Sequence, residues 1–132
     1  KGIQQNGEVK SDAAHIIDIM PTVLELSGAE YPKEFNGNRI APYMGSSMVS
    51  AFKSAEESTV NEILFWEHFG AAALRKGDWK LVKLDGNAEW ELYNLKEDRT
   101  EMNNLAAAYP DKVAAMKTEW DKMAQETDVF PN

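Results

Sequence analysis

The sequence predicts an α+β fold: a small four-stranded antiparallel sheet, a C-terminal helix packed on one face of it, and a short N-terminal helix. Three observations carry this. Between Glu62 and Leu95, short runs rich in aromatic and branched residues are separated by glycine-bearing turns, and three of the four Trp residues fall there. After Tyr109, apolar residues recur at helical spacing. Around Pro21, an apolar segment of helical length stops at Gly28.

Taken in order, Lys1 to Ser11 is polar with Gly2 and Gly7, and reads as a loop or a frayed edge strand. Next, Asp18 fits a helix N-cap, because its carboxylate can accept from the free amides of the first turn. Pro21 then falls in that turn, where a missing N–H costs no helical bond. Ile19, Met20, Val23, Leu24 and Leu26 make a broad apolar face, and Gly28 is the left-handed cap. A helix this apolar must pack on something, inside this chain or beyond it. Ala29 to Ser58 carries Pro32, Gly37, Pro42 and Gly45, and reads as a long irregular connector with at most a helical turn at Ser47 to Lys53. Connectors of that length are uncommon inside compact domains, so it either wraps a surface outside this chain or is functional.

The sheet follows. Asp78 to Leu84 alternates polar and apolar, with Trp79, Leu81 and Leu84 as core candidates. Glu62 to Trp66 and Glu89 to Tyr93 are its neighbours, and Ala72 to Arg75 is a fourth, weaker strand. Lys76-Gly77 and Asp85-Gly86-Asn87 supply glycine where a tight reversal needs positive φ. The expectation is an antiparallel meander with one wet face. Asn94 to Leu105 is polar and turn-rich. Tyr109-Pro110-Asp111 opens the clearest helix, with Pro110 at its first position and Asp111 near the positive end of its dipole. Val113, Met116, Trp120, Met123 and Ala124 form its apolar stripe, which is expected to run to about Glu126 and cover the dry face of the sheet.

Composition narrows the function classes. A chain of 132 residues is one domain or a piece of a larger one. The net charge of −8 argues against nucleic acid and against an anionic membrane surface. No apolar run reaches the length of a transmembrane helix. The chain opens on Lys1 rather than Met, as a segment cut from a longer protein would, and shows no signal peptide. With no cysteine, disulfides, a thiol nucleophile and a cysteine-based zinc site are excluded.

Chemical candidates are few. His15 and His68 are the only histidines and lie in different elements, without metal-ligand spacing. There is no Asp-x-Asp calcium loop, no Gly-x-Ser-x-Gly elbow and no glycine-rich phosphate loop. Glu62, Glu67, Glu89 and Glu91 sit on strands and could face one another, but a solvated face balanced by Lys80 and Lys83 is the preferred reading. Glu67-His68 is different, because it ends an apolar strand just before Phe69-Gly70. It is either a structural pair bonded to backbone or a contact to a ligand held by a neighbouring domain.

Together these residues resemble the C-terminal region of the sulfatase family, within the alkaline-phosphatase-like superfamily. His15 to Gly28 looks like the family's "(H)xDIxPTxLxLAG" helix. Leu64 to His68, Ala73 to Val82 and Trp90 to Leu95 look like its "WEH…ALRxGxWKLV…WELYDL" sheet, and Glu97 to Ala106 is similar to its "xDPxExxNLA" segment. These pieces in the right order, over most of the chain, are specific. The resemblance implies a parent enzyme that hydrolyses sulfate esters with a formylglycine nucleophile and a calcium ion. Both would lie upstream, since the C/S-x-P-x-R motif and the family's metal ligands precede the helix around Pro21. No catalytic or metal residue is therefore expected here. The partner implied is the N-terminal catalytic domain, with a sulfated small molecule or glycan as the parent's substrate and a periplasmic or secreted location. Residues 1–58 would bring the helix and connector off the end of the catalytic domain, and residues 59–132 the sheet and last helix. Glu67 and His68 match the family's Glu-His pair, which implies substrate binding at the pocket rim. Relatives often continue Gly-Asn-Arg where this chain has Gly70-Ala71-Ala72, and Asp-Pro where it has Asp98-Arg99. The alternatives are a protein-interaction module and a related phosphonate or phosphate monoester hydrolase.

Overall fold

The computed structural model describes Gly7, Val9 and residues 11–53 and 61–129. Most of the loop or frayed strand expected over Lys1 to Ser11 and the last part of the connector, from residue 54, lie outside the described residues. The chain divides into two units, Lys1–Asn61 and Glu62–Asn132.

In the first unit, a 3-10 turn over Ile16–Asp18 runs directly into helix α1, Ile19–Ser27. Gly28 ends α1 at φ 69°, the left-handed cap expected there. Asp18 stands at the N-cap position of α1, but its side chain does not cap that helix. The amide of Ile19 already donates to Ile16 O in the preceding turn, and His15 caps that turn by accepting from the Ile17 amide. Asp18 has helical backbone angles and makes no cap bond to α1. Its buried carboxylate instead accepts from the His15 amide at 2.7 Å, the Ser46 amide at 2.9 Å and Asn61 Nδ2 at 2.6 Å. Thr22 works beside it, donating to Asp18 O and accepting from the Met48 amide. Two short polar side chains thus tie the start of the helix to points more than 25 residues away, which sequence spacing alone does not reveal.

The connector is less irregular than its composition implies. It contains a two-stranded ribbon, β1 (Glu34–Phe35) with β2 (Asn38–Arg39), before helix α2 (Val49–Lys53), the expected helical turn. Asn36 and Gly37 turn the ribbon at φ 50° and 79°. Both are left-handed, as the tightest hairpin turn requires, and Asn-Gly is its strongest sequence signal. The signal is easily passed over here because the flanking residues are all exposed and carry no apolar alternation.

The second unit is the predicted meander: β3 (Ile63–His68), β4 (Ala71–Lys76), β5 (Trp79–Lys83) and β6 (Glu91–Asn94), in that order and antiparallel throughout. Cross-strand pairing lines Phe65, Leu74, Leu81 and Leu92 in one row. Helix α3 (Pro110–Glu126) lies over that row with Met116, Trp120 and Ala124. Leu74, Leu81, Leu92 and Ala124 have no exposed surface at all. The Trp120 ring meets Phe65 at 5.4 Å and Trp90 at 5.7 Å, and its Nε1 donates to Trp66 O at 3.1 Å. This last bond occupies a carbonyl on the edge strand β3, where an open edge would invite pairing.

The opposite face is not the wet face that alternation implies. Leu64, Ala73 and Tyr93 are buried there. Its polar groups pair among themselves: Lys80 Nζ reaches Glu101 at 2.6 Å, and Tyr93 OH donates to Glu91 Oε2 at 2.7 Å. The bond to Glu91, with burial and the nearby carboxylates, pushes the Tyr93 phenol up to about 12. Lys83 does not balance this face either. It shares the helix-covered face with Leu81 and sits over the Trp90 ring at 5.3 Å. Leu84 is exposed, so it is not the core residue it resembles. The outer edge of β6 is closed by the following segment: Leu105 N donates to Leu92 O at 2.8 Å, and Asn104 Oδ1 accepts from Leu92 N at 3.1 Å. Within that segment, the amides of Asn103 and Met102 and the Thr100 hydroxyl hold the Asp98 carboxyl below its ordinary range.

Leu81 and Leu84 therefore separate core from surface on one strand. Replacing Leu81 by Ala removes buried methyl groups from a fully packed row and is expected to cost about 2–5 kcal/mol. The same change at Leu84 is expected to stay within about 0.5 kcal/mol. Urea unfolding of the two variants measures this, and equal losses would contradict the packing described.

Candidate functional site

The sheet positions one feature at a hairpin tip. β3 runs to His68, two residues past the strand end read from the sequence, and pairs Glu67 with Ala72 and His68 with Ala71. Phe69 and Gly70 make the reversal into β4 at φ 50° and 91°. The dipeptide was not recognisable as a turn, because a bulky aromatic is a rare occupant of left-handed backbone. Two contacts fix it. Glu67 Oε1 accepts from the Gly70 amide at 2.9 Å. A Cβ on Gly70 would stand 2.9 Å from Gly86 N, so the tip presses on the Asp85-Gly86 turn that only glycine allows it to approach. That second turn is itself tied by Asp85 Oδ1, which accepts from the amides of Asn87 and Ala88.

Glu67 and His68 are both exposed at this tip. The carboxylate of Glu67 is engaged with backbone, and the His68 ring packs edge-on against Phe69 with centroids 4.6 Å apart. Phe69 is 93% exposed, the aromatic that sequence reasoning did not single out. Trp66, on the same sheet face as His68, is exposed over a third of its surface. The candidate carboxylates do not converge. Register places Glu67 and Glu91 on opposite faces, and Glu91 is taken by Tyr93.

The first unit presents a different surface. Its buried residues in α1 are Pro21 and Thr22, so the helix turns toward its own unit with those. The aliphatic side is turned out: Ile16, Ile17, Ile19, Met20, Val23 and Leu26 are exposed to between 41% and 76%. Beside α1 is an open cleft of about 830 Å³, lined by Pro21, Leu24, Gly28, Tyr31, Tyr43 and Ser46 among others, with the two Tyr rings edge to face at 5.2 Å. Among the described residues, no group of three or more His, Asp or Glu is placed to hold a metal ion. His15 and His68 lie in separate units.

Residues 1–129 match the family model described as N-sulphoglucosamine sulphohydrolase, C-terminal. The chain is 32% identical over 128 residues to an uncharacterized sulfatase of Schizosaccharomyces pombe, covering 92% of this chain and 23% of that protein. It is 33% identical over 118 residues to arylsulfatase K of Danio rerio, covering 83% of this chain and 21% of that protein. Among solved structures, BT4656 in complex with its substrate D-glucosamine-2-N,6-O-disulfate shares the fold, with a TM-score of 0.59 at 20% identity over 86% of this chain and 24% of that one. The chain thus spans less than a quarter of the length of these curated relatives.

The clamped tip makes two glycines of one sheet unequal. Gly77 turns β4 into β5 at φ 56° with open space around it, so Gly77→Ala is expected to cost about 1 kcal/mol from backbone strain alone. Gly70→Ala adds a collision with Gly86 backbone and is expected to cost clearly more. Urea midpoints of the two variants compare them directly, and equal losses would show that the tip is not held against the second turn.

Proposed function

The chain belongs to the N-sulphoglucosamine sulphohydrolase C-terminal family, the C-terminal region of sulfatases, and on that premise we propose its place in a parent enzyme. The parent is a sulfuric ester hydrolase whose catalytic domain lies upstream. Residues 1–58 carry the helix and connector off the end of that domain, and residues 59–132 are the sheet and last helix of the C-terminal subdomain. The observation that carries this reading is the outward aliphatic side of α1. Apolar area left in water is costly at about 25 cal/mol per Å², and a contiguous patch of this kind marks an interface. Its occupant is the upstream catalytic domain.

The calcium ion and formylglycine that the sulfatase family implies are assigned in this reading to that upstream domain. Chemistry at sulfur is accordingly assigned to no residue of this chain. Its contribution is binding: Glu67 holds the hairpin tip and His68 presents its ring there, at the rim of the substrate pocket. The parent's substrate is a sulfated sugar. In support, the matching family description names N-sulphoglucosamine, and one relative, from Bacteroides thetaiotaomicron, is named an N-acetylglucosamine-6-O-sulfatase. A periplasmic or secreted location accompanies this reading.

The test is reconstitution. The 132-residue chain alone is expected to release no product from an aryl sulfate. Supplied with the upstream domain in trans, it is expected to form a complex that Ile19→Asp and Leu26→Asp weaken by at least tenfold, about 1.4 kcal/mol. Turnover by the isolated chain would overturn the proposal, as would a complex indifferent to both substitutions.

A further inference from the structure

The connector leaves α1 at Gly28 and comes back to the start of the same helix. Gly45 lies directly on the peptide between Ile17 and Asp18: a Cβ there would collide with the Ile17 carbonyl and stand 2.8 Å from Asp18 N. Its φ is outside the left-handed region, so glycine serves closeness of approach here and not backbone freedom. The residues that follow bond at the same place. Ser46 N donates to Asp18 Oδ1 at 2.9 Å, and Met48 N donates to Thr22 Oγ1 at 2.9 Å. Further along, Asn61 Nδ2 donates to Asp18 Oδ2 at 2.6 Å and reaches Ala13 O at 3.5 Å. Ser46 and Asn61, far apart in sequence, thus share one carboxylate. Asp18 has no exposed surface, and every one of these ties lies inside the first unit. They hold whatever covers the outside of that unit.

The connector also has order of its own. The ribbon of β1 and β2, the bond from Ile40 N to Lys33 O at 3.0 Å and the edge-to-face pair of Tyr31 and Tyr43 are all internal to it. The cleft beside α1 is lined from both sides of this arrangement: Tyr31, Tyr43 and Ser46 come from the connector, Pro21 and Leu24 from the helix.

We propose that residues 29–53 form a strap latched on Asp18, which opens and closes as one body against a helix that stays folded. The proposal goes beyond the sulfatase reading and does not depend on it. Its basis is convergence. A segment pinned at independent points frays piece by piece, whereas donors that share one acceptor hold it in place for one another and are released together. The closed strap completes the cleft, so the latch controls it. The carboxylate suits this role by its chemistry. Oδ2 receives two donors, His15 N and Asn61 Nδ2, while Oδ1 receives Ser46 N. A carboxylate accepts on both oxygens, but an amide must turn its NH2 toward one side. In Asp18→Asn the amide oxygen keeps the side with two donors, and the NH2 meets the Ser46 amide and breaks that tie. Asp18 is therefore a positioning residue, and Asn61 holds it in place.

The experiment is native-state hydrogen exchange on the full-length protein, resolved to single amides by mass spectrometry. Asp18→Asn is expected to speed exchange at Ser46 at least about tenfold, the factor that a hydrogen bond to a charged group supplies. Met48 is expected to speed up by the same factor, although its acceptor is Thr22 and not Asp18. Asn61→Leu, distant in sequence, is expected to speed the same two amides about threefold or more. Ile40, bonded within the strap, and Leu24 to Ser27 of α1 are expected to keep wild-type rates in both variants. A purely structural Asp18 would instead destabilise the helix, and equal acceleration of the α1 amides would overturn the proposal. Acceleration of Ser46 alone in Asp18→Asn, or wild-type rates at Ser46 and Met48 in Asn61→Leu, would overturn it as well. If Asp18→Asn does not fold, Asn61→Leu decides by the same readings.

Discussion

Everything in the second unit depends on one row of side chains, Phe65, Leu74, Leu81 and Leu92, being sealed by Trp120 from α3. The row exists because period-2 strands of matched register bring one residue from each strand to the same line. The helix reaches it because Met116, Trp120 and Ala124 fall on one side at spacings of four. Trp120 does two jobs: its ring fills the space between Phe65 and Trp90, and its indole N–H takes a carbonyl of the edge strand. Once this layer is dry, the hairpin tips are held by a rigid base, and a short carboxylate such as Glu67 can set a turn to within a hydrogen bond.

The first unit is held differently. Its buried apolar residues among those described are small, Val49, Ala51 and Pro21, and its long-range order comes from polar ties to Asp18 and Thr22. A buried carboxylate that receives three N–H donors is well satisfied and fixes geometry, but it supplies little apolar burial. That is the physical reason α1 can hold its shape while its aliphatic side faces water. In the proposed parent, the same surface becomes a seam: polar ties set the angle of the helix, and the catalytic domain supplies the burial.

Much of this was legible in the sequence, and the limits follow from what periodicity can report. The meander strands with the Lys76-Gly77 turn, α3, the Gly28 cap and the short helix ending at Lys53 each have local signals that agree with the fold, whereas Gly86 does not take the positive φ expected of it. Asp18 misled because an Asp before a proline-bearing helix has a common local role, whereas its actual donors, Ser46 and Asn61, are distant in sequence. Lys83 was placed on the wrong face by its charge. Its stem lies beside Leu81 and its ammonium finds aromatic rings instead of water. At the candidate site, Glu67 and His68 stood out by position and by resemblance, but Phe69 did not. Its turn contradicts residue preference, because a bulky aromatic is a rare occupant of left-handed backbone.

The central claim is that the aliphatic side of α1 is an interface and not a free surface. Met20 lies on that side, half exposed, and Met102 is 77% exposed in the other unit. Peroxide oxidation reports the accessibility of a thioether directly. Followed by mass spectrometry in the 132-residue chain and in the full-length parent, Met102 is expected to oxidise at the same rate in both, while Met20 oxidises readily in the chain and several times more slowly in the parent. Equal Met20 rates in the two proteins would contradict the account.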